Sequence, residues 1–487
     1  MQAGPERARQ TIPDQRPETP ARPKSAFARW RDRDHTRGNL LVSLGVLALP
    51  LMATSLFGGV VFQLVDLKLV SGLGEQAMTA VVVTNQSLRQ LFFMLVMGAS
   101  FGSQGLIARS IGEGNGEQAD HVAGQTVLMG LAFSTCVATL GVLFPRELLS
   151  IMNVSDEVLA IGVPYVRLVF LLNFGFVFIN LFNAMLNGAG DTATPFLIAM
   201  VQTGLALLGE WALIYGNLGM PALGISGVAL GIGVGQVGSI ALVSRVLFGG
   251  KSRVHVRMRH LRPDPKVVRQ ISKLSWPPAL QMIGGFLVTV FFIRVMGDFG
   301  ERAQAAYSIG LRLGMLGPII CFPLAGAVAT LVGQALGAGN VRRAWRAMGV
   351  GILVHGALMW TLAILLYRYR VPFLELFTQN QEVIDIGSRM LVWQAGSFAL
   401  LAFFFVFFRA LQGAGDVFVP MLISLGNALL ISLPLGLYLA RTRGMGPDGL
   451  FIAQFVSTAI GTVLTGAWVA TGRWTRASQP FAAATGP

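Results

Sequence analysis

The chain has 487 residues, of which 53% are hydrophobic and only 12% are charged, whereas an ordinary soluble domain carries about 25% charged residues. Its net charge of +14 comes from basic residues that cluster before Asn39, within residues 245–270 and next to Arg342. Such clusters are typical of cytoplasmic loops between membrane helices rather than of a nucleic-acid groove. These features exclude a soluble nucleic-acid-binding protein and predict a polytopic membrane protein.

The first 38 residues are rich in proline, arginine and alanine and have no apolar run. We predict a disordered cytoplasmic tail rather than a secretory signal, which needs an apolar segment near its start. After this tail, long apolar segments follow one another, each long enough to cross a bilayer. The sequence therefore predicts an all-α membrane protein with twelve transmembrane helices, at about residues 40–65, 76–108, 121–145, 158–188, 192–217, 220–246, 271–297, 303–336, 343–367, 386–412, 416–440 and 447–472.

The strongest internal basic segment has eight lysines and arginines within residues 245–269 and follows the sixth predicted helix. The positive-inside rule places it in the cytoplasm together with both termini. We therefore expect a six-helix half at 39–246, a basic cytoplasmic linker at 247–270, a second six-helix half at 271–472 and a cytoplasmic tail at 473–487. The expected location is the inner (plasma) membrane.

Two motifs occur once in each half. Residues 186–195 read LNGAGDTATP and 411–420 read LQGAGDVFVP, with six of ten positions identical at an offset of 225. At the same offset, residues 111–120 read IGEGNGEQAD and 336–345 read LGAGNVRRAW. A constant offset over most of a half indicates a duplication. Since six is even, the halves are parallel, and we expect a pseudo-twofold axis along the membrane normal with a substrate cleft between them.

A proline is repeated in the first predicted helix of each half. Pro50 and Pro277 lie at an offset of 227. Proline inside a helix removes a backbone hydrogen bond and bends the helix. We expect a kink at both positions.

These residues also carry a family resemblance. "LALP" at 47–50, Asp66 before "SGLG" at 71–74, "GEGN" and "GAGN", and the two "GAGD" turns resemble the multidrug and toxic compound extrusion (MATE) family over roughly residues 40–470. The resemblance implies a bacterial inner-membrane antiporter that expels amphipathic, often cationic compounds against H⁺ or Na⁺. The C-terminal half has no acid inside its first, second, fourth or fifth helix, which resembles the DinF-like and archaeal branches.

Two acids lie deep in predicted helices of the first half. Eighteen residues at 1.5 Å each place Glu210 about 27 Å beyond Thr192, and Asp66, near the end of an outward-running helix, is expected at a similar depth. Two carboxylates at one level could share a proton or hold a Na⁺, because loss of water favours a neutral or cation-bound carboxylate. We predict Asp66 and Glu210 as the cation-coupling residues; the open alternative is that either one reaches the outer surface.

The resemblance adds detail to this site. The family usually has Asp twenty positions after the second glycine of the first "GAGD" turn, and here that position is Glu210; its usual Asn and Thr neighbours correspond to Ala206 and Ile232. These departures favour H⁺ over a full Na⁺ cage. Asn180 matches an asparagine common in the family. Asn173, Asn180 and Asn183 share a helix face and are predicted to line the cavity, or alternatively to join helices by hydrogen bonds.

Other readings stay open. Arg89 and Arg167 are expected to pair locally or to reach the membrane surface. A lipid or oligosaccharide flippase of the same superfamily, a major-facilitator carrier and a non-transporting membrane scaffold are alternatives to drug export. Cys136 and Cys321 have no metal-ligand spacing, and no nucleophile or cofactor motif is present. We therefore expect no enzymatic activity, no metal, no cofactor and no nucleic-acid partner, and a monomer with a small-molecule substrate in the lipid bilayer.

Overall fold

The computed structural model describes residues 33–476, except residues 153, 250 and 251. The described part of the chain is helical and contains twelve helices long and apolar enough to cross a membrane, which confirms the predicted fold class. Helical residues 75–88 run without a break into the second of these helices. The helices are α1 Leu40–Ser71, α2 Arg89–Gly112, α3 Gly116–Leu143, α4 Asp156–Ala189, α5 Ala193–Tyr215, α6 Ile225–Phe248, α7 Pro265–Gly297, α8 Glu301–Gly337, α9 Val341–Arg368, α10 Gln381–Gly413, α11 Phe418–Thr442 and α12 Pro447–Ala470.

The repeated Gly-Asn motif forms the connection before α3 and α9. Gly114 and Gly339 have φ of 74° and 70°, a region that glycine enters without strain. The following asparagine caps the next helix: Asn115 accepts a hydrogen bond from the backbone of Gln118 (3.0 Å) and Asn340 accepts one from Arg343 (2.9 Å). The motif is therefore a helix start, because an asparagine cap satisfies a backbone N–H that the helix leaves free.

The repeated Gly-Ala-Gly-Asp motif is a tight turn between α4 and α5 and between α10 and α11. Gly190 and Gly415 have φ of 88° and 83°. Asp191 caps α5 by accepting hydrogen bonds from the backbone N–H of Thr194 (3.0 Å) and from its hydroxyl (2.7 Å). These turns lie at the same end of the molecule as the linker between α6 and α7, which we call the linker end; the other end is called the far end.

The two halves meet at the linker end in pairs of contacts that obey the internal offset of 225. A Cβ added to Gly112 of α2 would lie 2.2 Å from the carbonyl oxygen of Gln334 in α8, and one added to Gly337 of α8 would lie 2.2 Å from that of Arg109 in α2. The two contacts are related by the internal offset, because Gly112 and Gly337 differ by 225 positions and so do Arg109 and Gln334. The backbones of α2 and α8 therefore touch across a pseudo-twofold axis.

A second pair of contacts repeats the same symmetry. A Cβ on Gly105 would lie 3.0 Å from the carbonyl oxygen of Gln412, and the hydroxyl of Thr330 donates to the carbonyl oxygen of Asn187 at 3.0 Å. Gly105 and Thr330 differ by 225 positions, and so do Asn187 and Gln412. We call this contact surface, formed by α2 and α4 against α8 and α10, the seam. Small residues form it because only they allow helix backbones to approach so closely.

The connecting segments differ from prediction. Helix α7 begins at Pro265 rather than near 271, since Asp264 caps it through the backbone N–H groups of Lys266 and Val267. The linker is therefore residues 249–264. The start of α7 was predicted too late because its first turns carry basic rather than apolar residues. Residues 477–487 of the predicted tail lie outside the described residues, whereas Trp474 is fully buried against Trp345.

Part of the predicted N-terminal tail packs on the linker end. Residues 1–32 lie outside the described residues, whereas residues 33–38, here called the strap, make defined contacts with the second half. The guanidinium of Arg343 donates to the carbonyl oxygens of His35 (2.8 Å), Arg37 (2.9 Å) and Gly38 (3.0 Å). The His35 side chain is 1% exposed and lies against Gly190. One arginine of the second half thus holds the strap over a turn of the first half.

Candidate functional site

Helices α1 and α5 run side by side in the same direction, which sets the relative height of the two predicted acids. The hydroxyl of Thr192 donates to the carbonyl oxygen of Val46 near the linker end (3.3 Å), and the hydroxyl of Tyr215 donates to that of Leu69 near the far end (2.6 Å). Both bonds join residues 146 positions apart. Asp66 and Glu210 are 144 positions apart, two fewer than the 146 that join residues at the same height. The two carboxyl groups therefore lie at similar depth, as predicted.

Glu210 is enclosed by the packing of α5 on α6. Its side chain is 0% exposed, and neither carboxyl oxygen has a hydrogen-bond partner among the described residues. A Cβ on Gly231 would lie 2.7 Å from Cγ of Glu210, so the absence of a side chain at Gly231 makes room for the acid. A carboxylate without a donor costs several kcal/mol in such a place. The geometry therefore suits a neutral carboxylic acid.

Asp66 lies level with Glu210 on the neighbouring helix α1. The two carboxyl groups interact electrostatically, and Asp66 in turn interacts with the guanidinium of Arg89. One oxygen of Asp66 is buried without a hydrogen-bond partner in the described structure. Asp66 and Glu210 therefore belong to one polar cluster inside the first bundle rather than to two separate surface sites.

Arg89 is a member of this cluster that sequence reasoning missed. It pairs locally, as expected, by donating to Asn85 at 3.2 Å, and its guanidinium lies 4.6 Å from the centre of the Phe176 ring. Asn85 also donates to the hydroxyl of the fully buried Tyr165 (3.2 Å). The guanidinium thus lies inside the bundle and interacts with both Asp66 and Tyr165. The one sequence feature that could have indicated this contact is the spacing of one helical turn between Asn85 and Arg89.

Two irregular helical segments precede these charged residues. Residues Ser55–Val61 of α1 are π-helical and come before Asp66, and Thr84–Leu88 are π-helical and end directly before Arg89. A π-helical segment inserts an extra residue per turn and is frequent at functional sites. In the second half, α7 and α8 are continuous α-helices. The second half has its own π-helical segments in α11, at Ala428–Ser432 and Tyr438–Thr442, so the π-helical segments of the first half are not by themselves a sign of its charged site.

The three predicted cavity asparagines have different surroundings. Asn173 is 5% exposed and lines a cavity of about 10 Å³ together with Arg89 and Gln236, which has room for a single water. Asn180 donates to the carbonyl oxygen of Phe176 in its own helix (2.8 Å), and Asn183 has a buried oxygen with no partner in the described structure. Of the three asparagines, Asn173 is the one that lines this cavity with Arg89. A substrate role for all three stays a prediction.

Pro50 and Pro277 lie inside helices, as predicted. Pro50 is followed by the π-helical segment of α1, and the hydroxyl of Thr54 donates to its carbonyl oxygen at 2.8 Å. Pro277 lies next to Pro278 in the unbroken α7. The structure thus shows a change of helical register only after Pro50, and a functional kink at either proline stays a prediction.

One cluster outside the bundles has the composition of a metal site. Glu117, Asp120 and His260 bring their side chains together where the linker meets α3. However, Nδ1 of His260 accepts from the backbone N–H of Arg257 (3.2 Å), and its Nε2 lies 2.9 Å from Glu117 and 3.1 Å from Nε of Arg259. Arg259 also donates to Glu117 at 2.5 Å. Since both nitrogens of His260 are used and a cation already pairs with Glu117, this cluster docks the linker.

Comparison with known proteins identifies the relatives of this arrangement. Thermotoga maritima has a probable multidrug resistance protein, NorM, that is 24% identical over 429 residues, covering 88% of this chain and 92% of the relative. The probable multidrug resistance protein YoeA of Bacillus subtilis is 26% identical over 431 residues, covering 87% and 92%. The crystal structure of a MATE protein in the bent conformation superposes with a TM-score of 0.83 at 20% identity, covering 94% of this chain and 100% of that one.

The family comparison also recovers the internal duplication. The MatE family model matches twice, at residues 50–211 and 277–438, which together make up more than half of the chain. The first match ends just after Glu210, and the second begins at Pro277. The fold, the paired matches and the relatives agree, and the chain belongs to the MatE family of membrane transporters.

Proposed function

We propose that the chain is an H⁺-coupled antiporter that exports amphipathic, often cationic compounds by alternating access of the cleft between its two halves. The observation that carries this proposal is Glu210, a fully buried carboxyl group without a hydrogen-bond partner in the described structure, next to Asp66. Such a group is stable when protonated and unstable when charged. Binding and release of one proton therefore change the free energy of the first bundle.

Arg89 supports H⁺ rather than Na⁺ as the coupling ion. A Na⁺ bound by Asp66 and Glu210 needs several oxygen ligands and a net negative site. Here a permanently charged guanidinium already interacts with Asp66 and repels a second cation. A proton on Glu210 needs no cage, and its loss leaves two carboxylates beside one guanidinium. The cycle alternates between these two charge states as the cleft opens to either side.

The remaining features of the proposal follow the charge distribution and the family. The basic linker and both termini lie in the cytoplasm, the far end faces outward, and the chain works as a monomer in the inner membrane without a cofactor or a catalysed reaction. The predicted coupling acids lie in the first half, whereas α7 and α11 contain no acid and α8 and α10 carry acids only in their first turns at the far end; this supports a place near the DinF-like branch. A flippase of lipids or oligosaccharides is the second candidate, and a scaffold without transport is the third.

Transport by the purified protein in proteoliposomes tests this proposal. Export of ethidium, a fluorescent aromatic cation, is followed under an imposed pH gradient and, separately, under an imposed Na⁺ gradient. We expect the pH gradient alone to drive export and Glu210→Gln to reduce it to the passive leak, because glutamine keeps the size and cannot titrate. Glu147→Gln changes an exposed acid and is the matched control, with unchanged export.

Two outcomes would contradict the proposal. Export driven by the Na⁺ gradient alone excludes the proton as the coupling ion. Wild-type export by Glu210→Gln between about pH 6 and 8 places the coupling group elsewhere. Failure of either gradient to move ethidium, with movement of a fluorescent lipid, would favour the flippase.

A further inference from the structure

A second buried cation lies far from the acids, in the seam. Arg409 is near the linker end of α10, and 3% of its surface is exposed. Its guanidinium donates to the side-chain oxygens of Gln412 (2.6 Å) and Gln104 (2.8 Å), which are neutral amides. No carboxylate of the described residues pairs with it. A buried charge without a counter-charge is costly and is by default a functional candidate.

The hydrogen bonds divide the guanidinium into a fixed edge and an exchangeable edge. Gln412 lies on the same helix and holds Nη1. Gln104 lies on α2, in the other half of the molecule, and holds Nη2, while Nε has no hydrogen-bond partner in the described structure. If the halves separate at the linker end, Gln104 leaves with α2. Nε and Nη2 then form a free two-donor fork, the geometry that binds a carboxylate or phosphate.

Aromatic rings from both halves surround this fork. The guanidinium carbon lies 4.2 Å from the centre of the Phe101 ring on α2 and 5.5 Å from that of Phe322 on α8. Gly326 of α8 also lies beside the guanidinium: a Cβ there would lie 3.4 Å from Nη2 of Arg409, an ordinary contact distance. The fork is therefore lined by flat apolar surfaces suited to an aromatic ring next to an acid group.

The fold itself does not require this cation. The internal offset of 225 relates Arg409 to Ala184 in α4, which is 5% exposed, and relates Gly326 to Phe101. The first half thus closes the equivalent position of the seam with an alanine and no charge. The guanidinium is therefore an addition to the second half alone.

We propose that Arg409 is an anion-binding residue at the linker-end mouth of the cleft, and that it takes the carboxylate or phosphate of an aromatic organic anion. The inference rests on the alternating access of the proposed function. With the seam open, the anion occupies the Nε/Nη2 fork and its ring lies beside Phe322. When the seam closes, the oxygen of Gln104 replaces the anion on Nη2, and the displaced ligand is moved toward the far end. The transporter therefore accepts organic anions in addition to cations.

Equilibrium binding with three probes of one shape tests the charge preference. The probes are 2-naphthoate, neutral 2-naphthamide and the naphthyl trimethylammonium cation, added to the full-length protein in nanodiscs without any gradient. We expect 2-naphthoate to bind more tightly than the amide, and Arg409→Met to weaken 2-naphthoate roughly 10- to 100-fold, as expected for charged hydrogen bonds, with little effect on the other probes. Arg409→Lys keeps the charge without the fork and should recover only part of the affinity. Arg346→Met removes an exposed arginine near the same end and is the control.

Substitutions of Gln104 keep Arg409 and test the exchange directly. Gln104→Glu places a carboxylate in contact with the guanidinium and should abolish 2-naphthoate binding by competition. Gln104→Leu removes the competing oxygen and should strengthen it. Equal affinity for the three probes in the wild type would overturn the proposal. So would unchanged 2-naphthoate binding in Arg409→Met and Gln104→Glu, or an equal loss of all three probes. Since no gradient is used, a failure of H⁺ coupling does not affect this result, and a failure of anion binding leaves export of ethidium driven by pH unchanged.

Discussion

Arg89 and the two acids show how three residues of the first bundle form a charge system. Asp66 and Glu210 were predictable because counting residues along parallel helices gives their depth. Arg89 was not, because whether an arginine faces lipid or the bundle interior depends on the helix rotation. The π-helical segment Thr84–Leu88 immediately precedes it, and sequence periodicity does not reveal such a segment. The structure then places the guanidinium among Asn85, Tyr165 and Asp66.

Removal of Arg89 should change which ion the acids accept. In Arg89→Met the two carboxyl groups lose the guanidinium that repels other cations, and we expect export to acquire a dependence on Na⁺ that the wild type lacks. Arg89→Lys keeps a positive charge and should remain driven by the pH gradient. The measurement is ethidium export in proteoliposomes under separate pH and Na⁺ gradients. Arg167→Met, an exposed arginine of α4, is the control, and absence of any Na⁺ effect in Arg89→Met would refute this role.

The packing of α5 against α6 is the element-scale counterpart of this site. Gly227, Gly231 and Gly235 of α6 lie one turn apart, and a Cβ at each would come within 2.6 Å of atoms in α5. Such a stripe of small residues lets two membrane helices approach closely. This close packing of α5 on α6 sets the depth of Glu210 in the first bundle and buries its side chain.

Gly231→Ala should therefore affect stability and coupling together. The added Cβ would lie 2.3 Å from the backbone nitrogen of Glu210, so α6 must move. We expect a loss of about 1–3 kcal/mol in the free energy of unfolding, typical of overpacking, and reduced export driven by pH. Thermal unfolding in detergent and proteoliposome export measure the two effects. Gly204→Ala in α5 meets nothing within 4 Å and should be neutral; equal melting temperatures for the two variants would contradict the packing argument.

The strap is an element whose docking depends on pH. Burial lowers the pKa of His35 to about 4 from its ordinary value of 6.5, and nearby Arg253 adds to the effect. A docked imidazole with a lowered pKa is neutral, so docking is strongest above 6.5 and weakens as the pH falls from 6.5 toward 4. At about pH 5.5 the docking constant should be reduced roughly tenfold. Hydrogen exchange at residues 35–38 should increase accordingly in the wild type. His35→Gln, which cannot titrate, supplies the correction for intrinsic exchange, and an identical pH dependence in both proteins would exclude the mechanism.

At the scale of the whole molecule, the sequence was informative wherever the repeat or an apolar run carried the signal. The twelve helices and the parallel halves followed from segment length and the constant offset of 225. The seam contacts of Gly112 and Gly337 lie within the repeated motifs, yet the sequence alone did not show that these glycines touch the opposite half. The strap was missed because its order comes from Arg343, 308 residues away from His35. Contacts between distant segments with no sequence periodicity cannot be deduced by local patterns.

The seam gives a symmetric way to shift the whole transporter between its states. In Gly112→Ala the new Cβ lies 2.2 Å from the carbonyl oxygen of Gln334, and in Gly337→Ala it lies 2.2 Å from that of Arg109. Neither obstacle is a flexible side chain, so the closed seam must open. We expect each variant to lower the ratio of closed to open molecules by about 5- to 150-fold, which corresponds to 1–3 kcal/mol. Because the pseudo-twofold exchanges the two positions, the single variants should have similar effects.

A cysteine at Gln104 reports this opening, since the side chain is 6% exposed in the closed seam. Cys136 and Cys321 are first replaced by alanine, and labelling by a membrane-impermeant maleimide is measured from the linker side and from the far side. We expect Gly112→Ala and Gly337→Ala each to increase labelling from the linker side only. Gly349→Ala in α9, where a Cβ meets nothing within 4 Å, should leave it unchanged. Increased labelling from the far side, or an effect of one glycine without the other, would show that the two halves do not separate about the pseudo-twofold seam.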